Sequence, residues 1–395
     1  MAPWGEILIS RRLRNPKTPE QVVDCLLEKE LTDEEFEYYS RQISLAEIGY
    51  AGQVRLKNSK VCILGCGGLG VPTMLKLTAM GVGHIRIIDR DVISMSDLHR
   101  QYLYDVDSIG RAKVEVAYEK LKKLNPNVEI EPLAEPITKR NVSEVIGGMD
   151  VAVDALDSME TRYLVNRACS KQEVPYVFAG VIKSMANAST IIPGKTPCLE
   201  CFFPGFEDAL LPKCALVGVN PAVIGITSSV QVSEAVTILT GKMPKLAGKL
   251  LLVDLGDLSF EKIDIQRQEN CPVCGSKAQG KPAEVRDKFF EEECSRDGRR
   301  TFILNPREKV DIDFDRLLAR LSKEGMTVKS KGTLAVSFVV SDTLIANLLK
   351  SGTMIAQSLP MKGKKDIDKE VLAFYRLMMI DWLGFSPEII PVPQH

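Results

Sequence analysis

An apolar run that ends in spaced glycines constrains this sequence most. Residues 61–70 read VCILGCGGLG, which places Gly65, Gly67 and Gly70 in a G-x-G-x-x-G pattern. The first four residues are predicted as a buried parallel strand and the residues after the glycines as a helix, so the glycines form the turn between them. A side chain at Gly65 or Gly67 would hold a phosphate off the backbone N–H groups, and one at Gly70 would separate the helix from the strand. The motif indicates a nucleotide site without naming the nucleotide, and a tight turn without ligand is the alternative.

A second predicted strand, HIRII at residues 84–88, ends at Asp89. This acid follows Gly70 by about 20 residues, the spacing at which nucleotide-binding folds place a ligand for ribose hydroxyls. The loop after it, DVISMSDLHRQYLYDVDSIG, is long and polar. We expect it to lie above the carboxyl edge of the sheet, where ligands bind.

Strand-like and helix-like segments alternate through the first two thirds of the chain. Further strands are predicted at 128–133, 149–155, 175–179, 186–192, 249–253 and 258–264, and helices at 111–123, 141–146, 160–171 and 222–240. This alternation predicts an α/β fold with a doubly wound, mostly parallel Rossmann-like sheet that turns mixed towards its end.

The length of 395 residues exceeds a usual single core. We expect an N-terminal arm and helix over 1–33, a main α/β domain over 34–275, and a linker with a small α+β domain over 276–395. The linker reads KAQGKPAE, and its composition predicts flexibility. Elements of the small domain are predicted at 301–304, 312–323, 326–330, 334–339, 352–357 and 366–380.

The charge balance excludes nucleic acid as an obvious partner, because Lys and Arg total 51 against 52 Asp and Glu. The start of the chain has charges inside and behind its only apolar patch, unlike a signal peptide. The most apolar segment, 215–233, is interrupted by Asn220 and Pro221. These features predict a cytoplasmic protein that does not interact with membranes.

Two short-spaced cysteine pairs predict a metal site. They are Cys198 with Cys201 and Cys271 with Cys274, and four thiolates suit tetrahedral zinc. With four ligands in use the site would be closed and structural, joining a loop to the end of the main domain. Unlinked free cysteines are the alternative.

Several charged residues are candidates for phosphate chemistry. Arg100, Gln101 and Lys113 bracket the polar loop and could contact phosphates, although each alone could be a solvated surface residue. Asp154 and Asp157 follow a strand, so one could bind Mg²⁺; Asp154 fits a strand-end cap better. Only three histidines are present, which disfavours catalysis by a histidine nucleophile.

Cys214 stands alone in PKCALVG. A lone cysteine is usually a small buried apolar residue, but the neighbouring Lys213 could lower its pKa and make it reactive. The other cysteines are interpreted as structural; these are Cys25, Cys62, Cys66, Cys169 and Cys294.

Together these motifs resemble the ThiF/MoeB/HesA family, whose adenylating core is shared with ubiquitin-activating enzymes. YYSRQISLAEIGYAGQVRLKNSKVCILGCGGLG is similar to the opening of that family, with its RQ, its G-x-x-G-Q-x-x-L and its glycine loop in this order. DLHRQYLY and DSIGRAKVE resemble its NLxRQ…GxxK segment, ALDSMETRYLVN its D-N-x-x-x-R-x-x-x-N segment, and PCLEC with NCPVCG its zinc pairs. The resemblance covers residues 34–275 and implies an ATP-dependent adenylyltransferase.

The resemblance assigns a role to each candidate residue. The residues that would bind the nucleotide are Gly65, Gly67, Gly70, Asp89, Arg100, Gln101 and Lys113. Asp157 would bind Mg²⁺, Arg41 would enter the active site of the other protomer of a homodimer, and Cys214 would accept the activated carboxyl group. The sequence departs from the family pattern twice, with Asp97 and Ser158 where asparagines are usual.

The implied reaction is attack by the C-terminal carboxylate of a small β-grasp protein on the α-phosphate of MgATP, followed by thioester formation on Cys214. Two versions stay open: a ubiquitin-like-protein activating enzyme that passes the thioester to a conjugating enzyme, and a sulfur-carrier adenylyltransferase of thiamine or molybdopterin biosynthesis or tRNA thiolation. The C-terminal domain favours the first, as a swinging module that recruits the conjugating enzyme. An NAD-binding oxidoreductase is a third interpretation, disfavoured by Arg41, Arg100, Lys113 and the zinc pairs.

Overall fold

The computed structural model describes residues 29–206, 208, 217–285, 287–294, 300–358 and 367–390. Most of the arm and helix expected over 1–33 lies outside these residues, as do Cys25 and Cys214. The described chain contains two sheets, of eight and six strands.

The strands of the larger sheet follow the order β3-β2-β1-β4-β5-β6-β7-β8. In chain order they are β1 (Lys60–Leu64), β2 (His84–Ile88), β3 (Glu129–Leu133), β4 (Val151–Asp154), β5 (Tyr176–Ile182), β6 (Met185–Ile191), β7 (Lys249–Asp254) and β8 (Ser259–Asp264). Pairing is parallel from β3 to β5 and antiparallel from β5 to β8. The predicted doubly wound, mostly parallel sheet that turns mixed is therefore confirmed.

Helices connect these strands. They are α1 (Asp33–Tyr38), α2 (Ser40–Ile43), α3 (Gly49–Lys57), α4 (Gly70–Ala79), α5 (Lys113–Leu124), α6 (Val142–Ile146), α7 (Met159–Gln172), α8 (Leu199–Phe202) and α9 (Pro221–Leu239). Local chemistry sets several of their starts: Thr32 and Glu35 form a capping box at α1, and Ser158 caps α7. Asn220 caps α9, with Pro221 at its first position.

Strand β1 lies at the centre of the parallel part, with β2 on one side and β4 on the other. The chain order reverses at this point, because it runs outward from β1 to β3 and then returns to β4. In open α/β sheets such a reversal leaves a crevice at the carboxyl ends of the strands, where ligands bind. Ile63, Ile87 and Val153 are fully buried and hold the three central strands in one core.

Helix α9 crosses beneath the sheet. Among the described residues it is the one helix long and apolar enough to span a membrane by length and composition, but 61% of its most apolar window is buried inside the protein. Its Gln231 donates a hydrogen bond to the carbonyl of Asp154 at 2.5 Å. These contacts are those of a core helix.

The second sheet is antiparallel, in the order β11-β12-β13-β14-β10-β9. Its strands are β9 (Phe290–Cys294), β10 (Arg300–Leu304), β11 (Val328–Lys331), β12 (Ala335–Ser341), β13 (Leu344–Leu349) and β14 (Met354–Ser358). Helices α10 (Phe314–Lys323) and α11 (Ile367–Arg376), with a π-helical extension over Leu377–Trp382 and a 3₁₀ turn at Pro387–Ile389, complete what we call the C-terminal unit. Strands β9 and β13 were not predicted from the sequence.

The C-terminal unit is docked against the larger sheet. One face of its sheet packs on its own helices through residues such as Phe338 and Tyr375, whereas Ala335 and Leu349 join the core of the larger sheet. Thr333 donates a hydrogen bond from its hydroxyl to Glu115 on α5 at 2.9 Å. This arrangement differs from the swinging module that the linker composition predicts.

Candidate active site

The glycine turn lies where its spacing places it, between β1 and α4. Gly65 has a φ of +104°, and a Cβ atom there would lie 2.5 Å from the carbonyl oxygen of Ala155. A Cβ atom on Gly70 would lie 2.0 Å from the carbonyl oxygen of Gly65. Gly67 differs from the other two glycines in having open space beside it. A Cβ atom added there would have one neighbour within 4 Å, Gln101 Nε2 at 3.9 Å. Gly65 and Gly70 are therefore required by the turn itself, while Gly67 leaves space for a ligand to approach the backbone.

Asp89 is bonded to this turn. Its Oδ2 accepts a hydrogen bond from the Cys66 N–H at 2.6 Å, and its Oδ1 accepts one from the Asp91 N–H at 2.7 Å. Burial and the adjacent Asp91 carboxylate raise the pKa of Asp89 to about 6, against the lowering effect of Lys113. The second strand therefore places a carboxylate directly beside the glycine turn.

Lys113, at the start of α5, is 5% exposed. Its Nζ pairs with Asp91 Oδ2 at 2.8 Å and lies 4.0 Å from Asp97 Oδ2. Burial lowers the pKa of Lys113, but the carboxylates of Asp91, Asp89 and Asp97 outweigh burial and raise it. Lys113 is thus a buried cation held at the edge of the site by carboxylates.

Asp97, one of the two departures from the family pattern, is the centre of a hydrogen-bond network. Its Oδ1 accepts from Arg100 Nη2 at 3.1 Å and from Gln101 Nε2 at 2.9 Å. Its Oδ2 accepts from the N–H and the hydroxyl of Ser94, at 3.0 and 2.9 Å. Among the described residues, the buried Oε1 of Gln101 has no hydrogen-bond partner, so an acceptor is available there to a ligand.

The loop after β4 is anchored by a buried ion pair. Asp154 is fully buried and binds Arg162 Nε at 3.0 Å and the hydroxyl of Tyr176 at 2.5 Å. Arg162 also donates to the carbonyl oxygens of Leu156 and Ala179, at 2.5 and 2.9 Å. Burial raises the pKa of Asp154 despite the lowering effect of Arg162. Asp154 therefore supports the loop, as expected of a strand-end residue.

Asp157 lies on this loop with its side chain exposed. Ser158, the second departure from the family pattern, donates its hydroxyl hydrogen to Asp208 Oδ2 at 2.6 Å, and the N–H of Met159 donates to Asp208 Oδ1 at 2.6 Å. The carboxylate of Asp208 therefore binds the start of α7, one residue after Asp157. An exposed carboxylate at the carboxyl edge of the sheet suits Mg²⁺, which prefers oxygen ligands and keeps several waters.

The four paired cysteines come together away from the nucleotide crevice. All four sulfur atoms lie within 4.8 Å of one another, with Cys198 and Cys271 at 3.6 Å and Cys201 and Cys274 at 3.4 Å. A tetrahedral zinc ion with bonds of about 2.3 Å requires sulfur separations of roughly 3.8 Å. The cluster could hold zinc with little movement.

Arg41 is exposed on α2. Cys62, Cys66 and Cys169 are buried and form no disulfide, and burial raises the pKa of Cys62 to about 12, which makes it unreactive.

Several residues that border the crevice were not predicted from the sequence. Arg90 and Asp91 directly follow Asp89, and Asp208 and Glu291 reach the site from distant segments. Arg90 and Asp91 could have been suspected from their position after a strand end. No sequence signal connects Asp208 or Glu291 to the site, because their contacts span 50 and 201 residues.

A glycine turn at a reversal of strand order, with an acid bound to it and a charged loop above it, defines a nucleotide-binding α/β protein. The family model described as the ThiF family matches residues 39–273, and the chain belongs to this family.

Two relatives match most of their own length. The chain is 38% identical over 258 residues to a SAMP-activating enzyme E1 of Haloferax volcanii, covering 65% of this chain and 94% of the relative. It is 39% identical over 253 residues to a sulfur carrier protein adenylyltransferase of Thermus thermophilus, covering 62% and 92%. A crystal structure of E. coli MccB shares the fold, with a TM-score of 0.56 and 21% identity over 70% of this chain and 85% of that one. The chain is an ATP-dependent adenylyltransferase.

Proposed function

We propose that this enzyme adenylates the C-terminal glycine carboxylate of a small β-grasp protein, forms a thioester on Cys214 and passes it to a conjugating enzyme. The observation that carries the nucleotide part is the bond between Asp89 and the Cys66 N–H inside the glycine turn. The name of the Haloferax relative supports the activating role.

The crevice residues can divide the binding of ATP between them. Asp89 would accept hydrogen bonds from the ribose hydroxyls, and the space at Gly67 would admit the phosphates to the backbone N–H groups. Arg100, Gln101 and Lys113 would then neutralise and align the triphosphate. Because Arg100 and Lys113 are held by carboxylates in the free enzyme, phosphate oxygens would compete for these cations.

The chemistry suits a site without a general base. The attacking glycine carboxylate is already ionised, so one of its oxygens can bond to the α-phosphorus while the bond to pyrophosphate breaks. The thiol of Cys214 would next attack the acyl-adenylate, releasing AMP and a proton and leaving a thioester. Mg²⁺ held by Asp157 would supply charge neutralisation on the phosphates.

We also propose that zinc binds Cys198, Cys201, Cys271 and Cys274 and closes the nucleotide-binding domain at residues 34–275. The fit of the sulfur distances to a tetrahedral ion supports this assignment. We further propose that residues 276–395 form a linker and a second domain, because a separate sheet follows the cysteine cluster.

A homodimer with shared active sites is the proposed assembly. The outer face of α9 is an open, mostly apolar surface built from small residues, and Phe260 and Ile263 of the edge strand β8 are about half exposed. A second copy of the chain could cover this surface. The exposed position of Arg41 leaves it available to the partner site.

A sulfur-carrier adenylyltransferase is the second candidate, favoured by the match to the Thermus relative over 92% of its length. Both candidates share adenylation of a β-grasp protein and differ in the fate of the acyl-adenylate. In the second, a sulfur donor would consume this intermediate.

Incubating the enzyme with ATP and each candidate carrier separates these functions. Pyrophosphate exchange that depends on the carrier would establish adenylation. A thiol-sensitive adduct on a non-reducing gel, transferable to a conjugating enzyme, supports the first candidate. Conversion of the carrier to a thiocarboxylate by a sulfur donor, without such transfer, supports the second.

A further inference from the structure

The C-terminal unit reaches the loop that follows β2. Glu291 on β9 binds the guanidinium of Arg90 with both carboxylate oxygens, Nη1 to Oε1 at 2.5 Å and Nη2 to Oε2 at 3.3 Å. Arg90 directly follows Asp89, whose carboxylate is bonded to the glycine turn. A two-point pair of this kind fixes the orientation of the guanidinium as well as its position.

The same segment also reaches the first turn of α7, the helix that directly follows the loop after β4. Lys288 pairs with Glu160 at 2.7 Å and lies 3.8 Å from Asp208. Asp208 in turn binds Ser158 and the N–H of Met159 at the start of α7. Lys288 thus stabilises two carboxylates that lie beside Ser158 and Met159, the residues that follow Asp157.

The two loops lie on either side of β1, since β2 and β4 are its neighbours in the sheet. One short segment, residues 288–291, therefore contacts both walls of the nucleotide crevice. The Arg90 and Glu291 side chains are 28% and 17% exposed, so their pair is partly shielded from water. Such contacts can hold loop geometry better than exposed ion pairs do.

We propose that Glu291 and Lys288 are positioning residues for adenylation, holding the loops after β2 and β4 in the geometry that nucleotide binding requires. This inference rests on the proposed function. It gives the C-terminal unit a part in the first chemical step, in addition to any role in recruiting a partner.

This arrangement belongs to the part of the chain beyond the family core. The family model ends at residue 273, before Lys288 and Glu291. The Haloferax and Thermus relatives are matched over 94% and 92% of their length by only 65% and 62% of this chain. Both relatives therefore lack the length to supply an equivalent unit.

The test replaces Glu291 by glutamine in the full chain and measures ATP binding by calorimetry. Glu292→Gln is the matched control, because Glu292 lies on the same strand but pairs with Arg300 inside the C-terminal unit. We expect Glu291→Gln to weaken ATP binding roughly tenfold, since the loss of a hydrogen bond between charged groups changes an equilibrium by about this factor. Glu292→Gln should bind ATP as the wild type does.

Hydrogen exchange in the ligand-free enzyme provides a readout independent of ATP. Glu291→Gln should speed exchange at residues 89–93, and Lys288→Gln should speed it at residues 155–160. The single variant Arg90→Gln and the double variant that also carries Glu291→Gln should bind ATP with equal affinity, because Glu291 acts through Arg90. Additive losses in the double variant would overturn the positioning role, and wild-type ATP binding by Glu291→Gln would do so as well.

The inference and the proposed function fail in different ways. A wild-type enzyme that binds ATP but shows no carrier-dependent pyrophosphate exchange would refute the proposed function, while the variant ATP affinities would still decide the positioning role. Conversely, carrier-dependent exchange that is identical in wild type and Glu291→Gln at ATP concentrations below saturation would leave adenylation standing and remove the positioning role.

Discussion

Asp97 binds Arg100 through a single carboxylate oxygen, with 3.1 Å between Arg100 Nη2 and Asp97 Oδ1. The same oxygen accepts a hydrogen bond from the side-chain amide of Gln101 at 2.9 Å. Two residues proposed to contact phosphate are thereby oriented by one buried acid. The second oxygen is occupied by the N–H and hydroxyl of Ser94, so the carboxylate faces donors on all sides.

Asp97→Asn tests this network. An asparagine can keep its oxygen towards Arg100 and Gln101, but its amide group then faces the Ser94 N–H, which loses its acceptor. We expect a loss of about 1 kcal/mol in the free energy of unfolding, the usual cost of an unpaired buried donor. Urea denaturation measures this loss, and Asp107→Asn on the exposed part of the same loop serves as control. An unchanged midpoint would mean that the network adds nothing to stability.

Metal analysis tests the cysteine cluster. We expect one zinc per chain, lost when Cys271 and Cys274 are both replaced by serine and retained in Cys169→Ala, which removes a buried cysteine outside the cluster. A chelator should also lower the thermal midpoint, because the metal binds the folded chain. Purified protein without zinc would refute the assignment.

Asp157→Ala should lower pyrophosphate exchange at least roughly 100-fold while leaving the fold intact, because it removes the proposed Mg²⁺ ligand and no core group. Arg41→Ala should behave similarly. If Arg41 acts across a homodimer, mixing the two variants should restore part of the exchange, since one hybrid site then has both residues. Absence of rescue under demonstrated subunit exchange would count against shared sites.

Cys214→Ala should retain carrier-dependent pyrophosphate exchange and lose the thiol-sensitive adduct, because adenylation and thioester formation use different residues. Mass spectrometry of the adduct in the wild type identifies the attacked cysteine. An adduct that persists in Cys214→Ala would move the nucleophile to another cysteine.

Adenosine binding should depend on pH through Asp89. Its pKa is raised to about 6 by burial and by Asp91, so the carboxylate is ionised above that pH and protonated below it. An ionised carboxylate is the better acceptor for ribose hydroxyls, and affinity should fall roughly tenfold between pH 7 and pH 5. Adenosine itself does not titrate in this range, and the nearby Lys113 stays charged. Asp89→Asn should bind weakly at both pH values; a similar pH dependence in that variant would exclude Asp89 as its source.

Protonation of Asp89 has the opposite effect on the stability of the fold from its effect on adenosine binding. A carboxyl group whose folded pKa lies above its unfolded value favours the folded state more when protonated, so its contribution to the free energy of unfolding rises as the pH falls through about 6. Asp154 is shifted in the same direction by its burial.

Local patterns were sufficient to predict most of the larger sheet. The glycine spacing acts through neighbouring residues and places the turn between β1 and α4 as predicted, and helix α9 begins at Pro221, one residue before the predicted range of 222–240. Strand β13 was missed because its segment, LIANLL, is buried on both faces and so lacks alternation. The docking of the C-terminal unit on the larger sheet causes this double burial.

Two residues near the site were not predicted for a different reason. Glu291 lies in a charged run and Asp208 in the mostly apolar segment FFPGFEDALLP, neither of which carries a site motif, and their partners are brought near only by the tertiary fold. Such residues can be assigned to a site only when the packing of the two sheets against each other is known.

The cysteine cluster has a topological consequence. Its sulfur contacts join residues 73 positions apart, so a metal bound there would turn the chain between the ends of β6 and β8, with α9 inside it, into a closed ring. A single proteolytic cut in the segment between Cys201 and α9 would then open the ring without releasing either fragment. The nicked chain would be held together by the metal as well as by the pairing of β6 with β7, so chelation would remove one of these two links between the fragments.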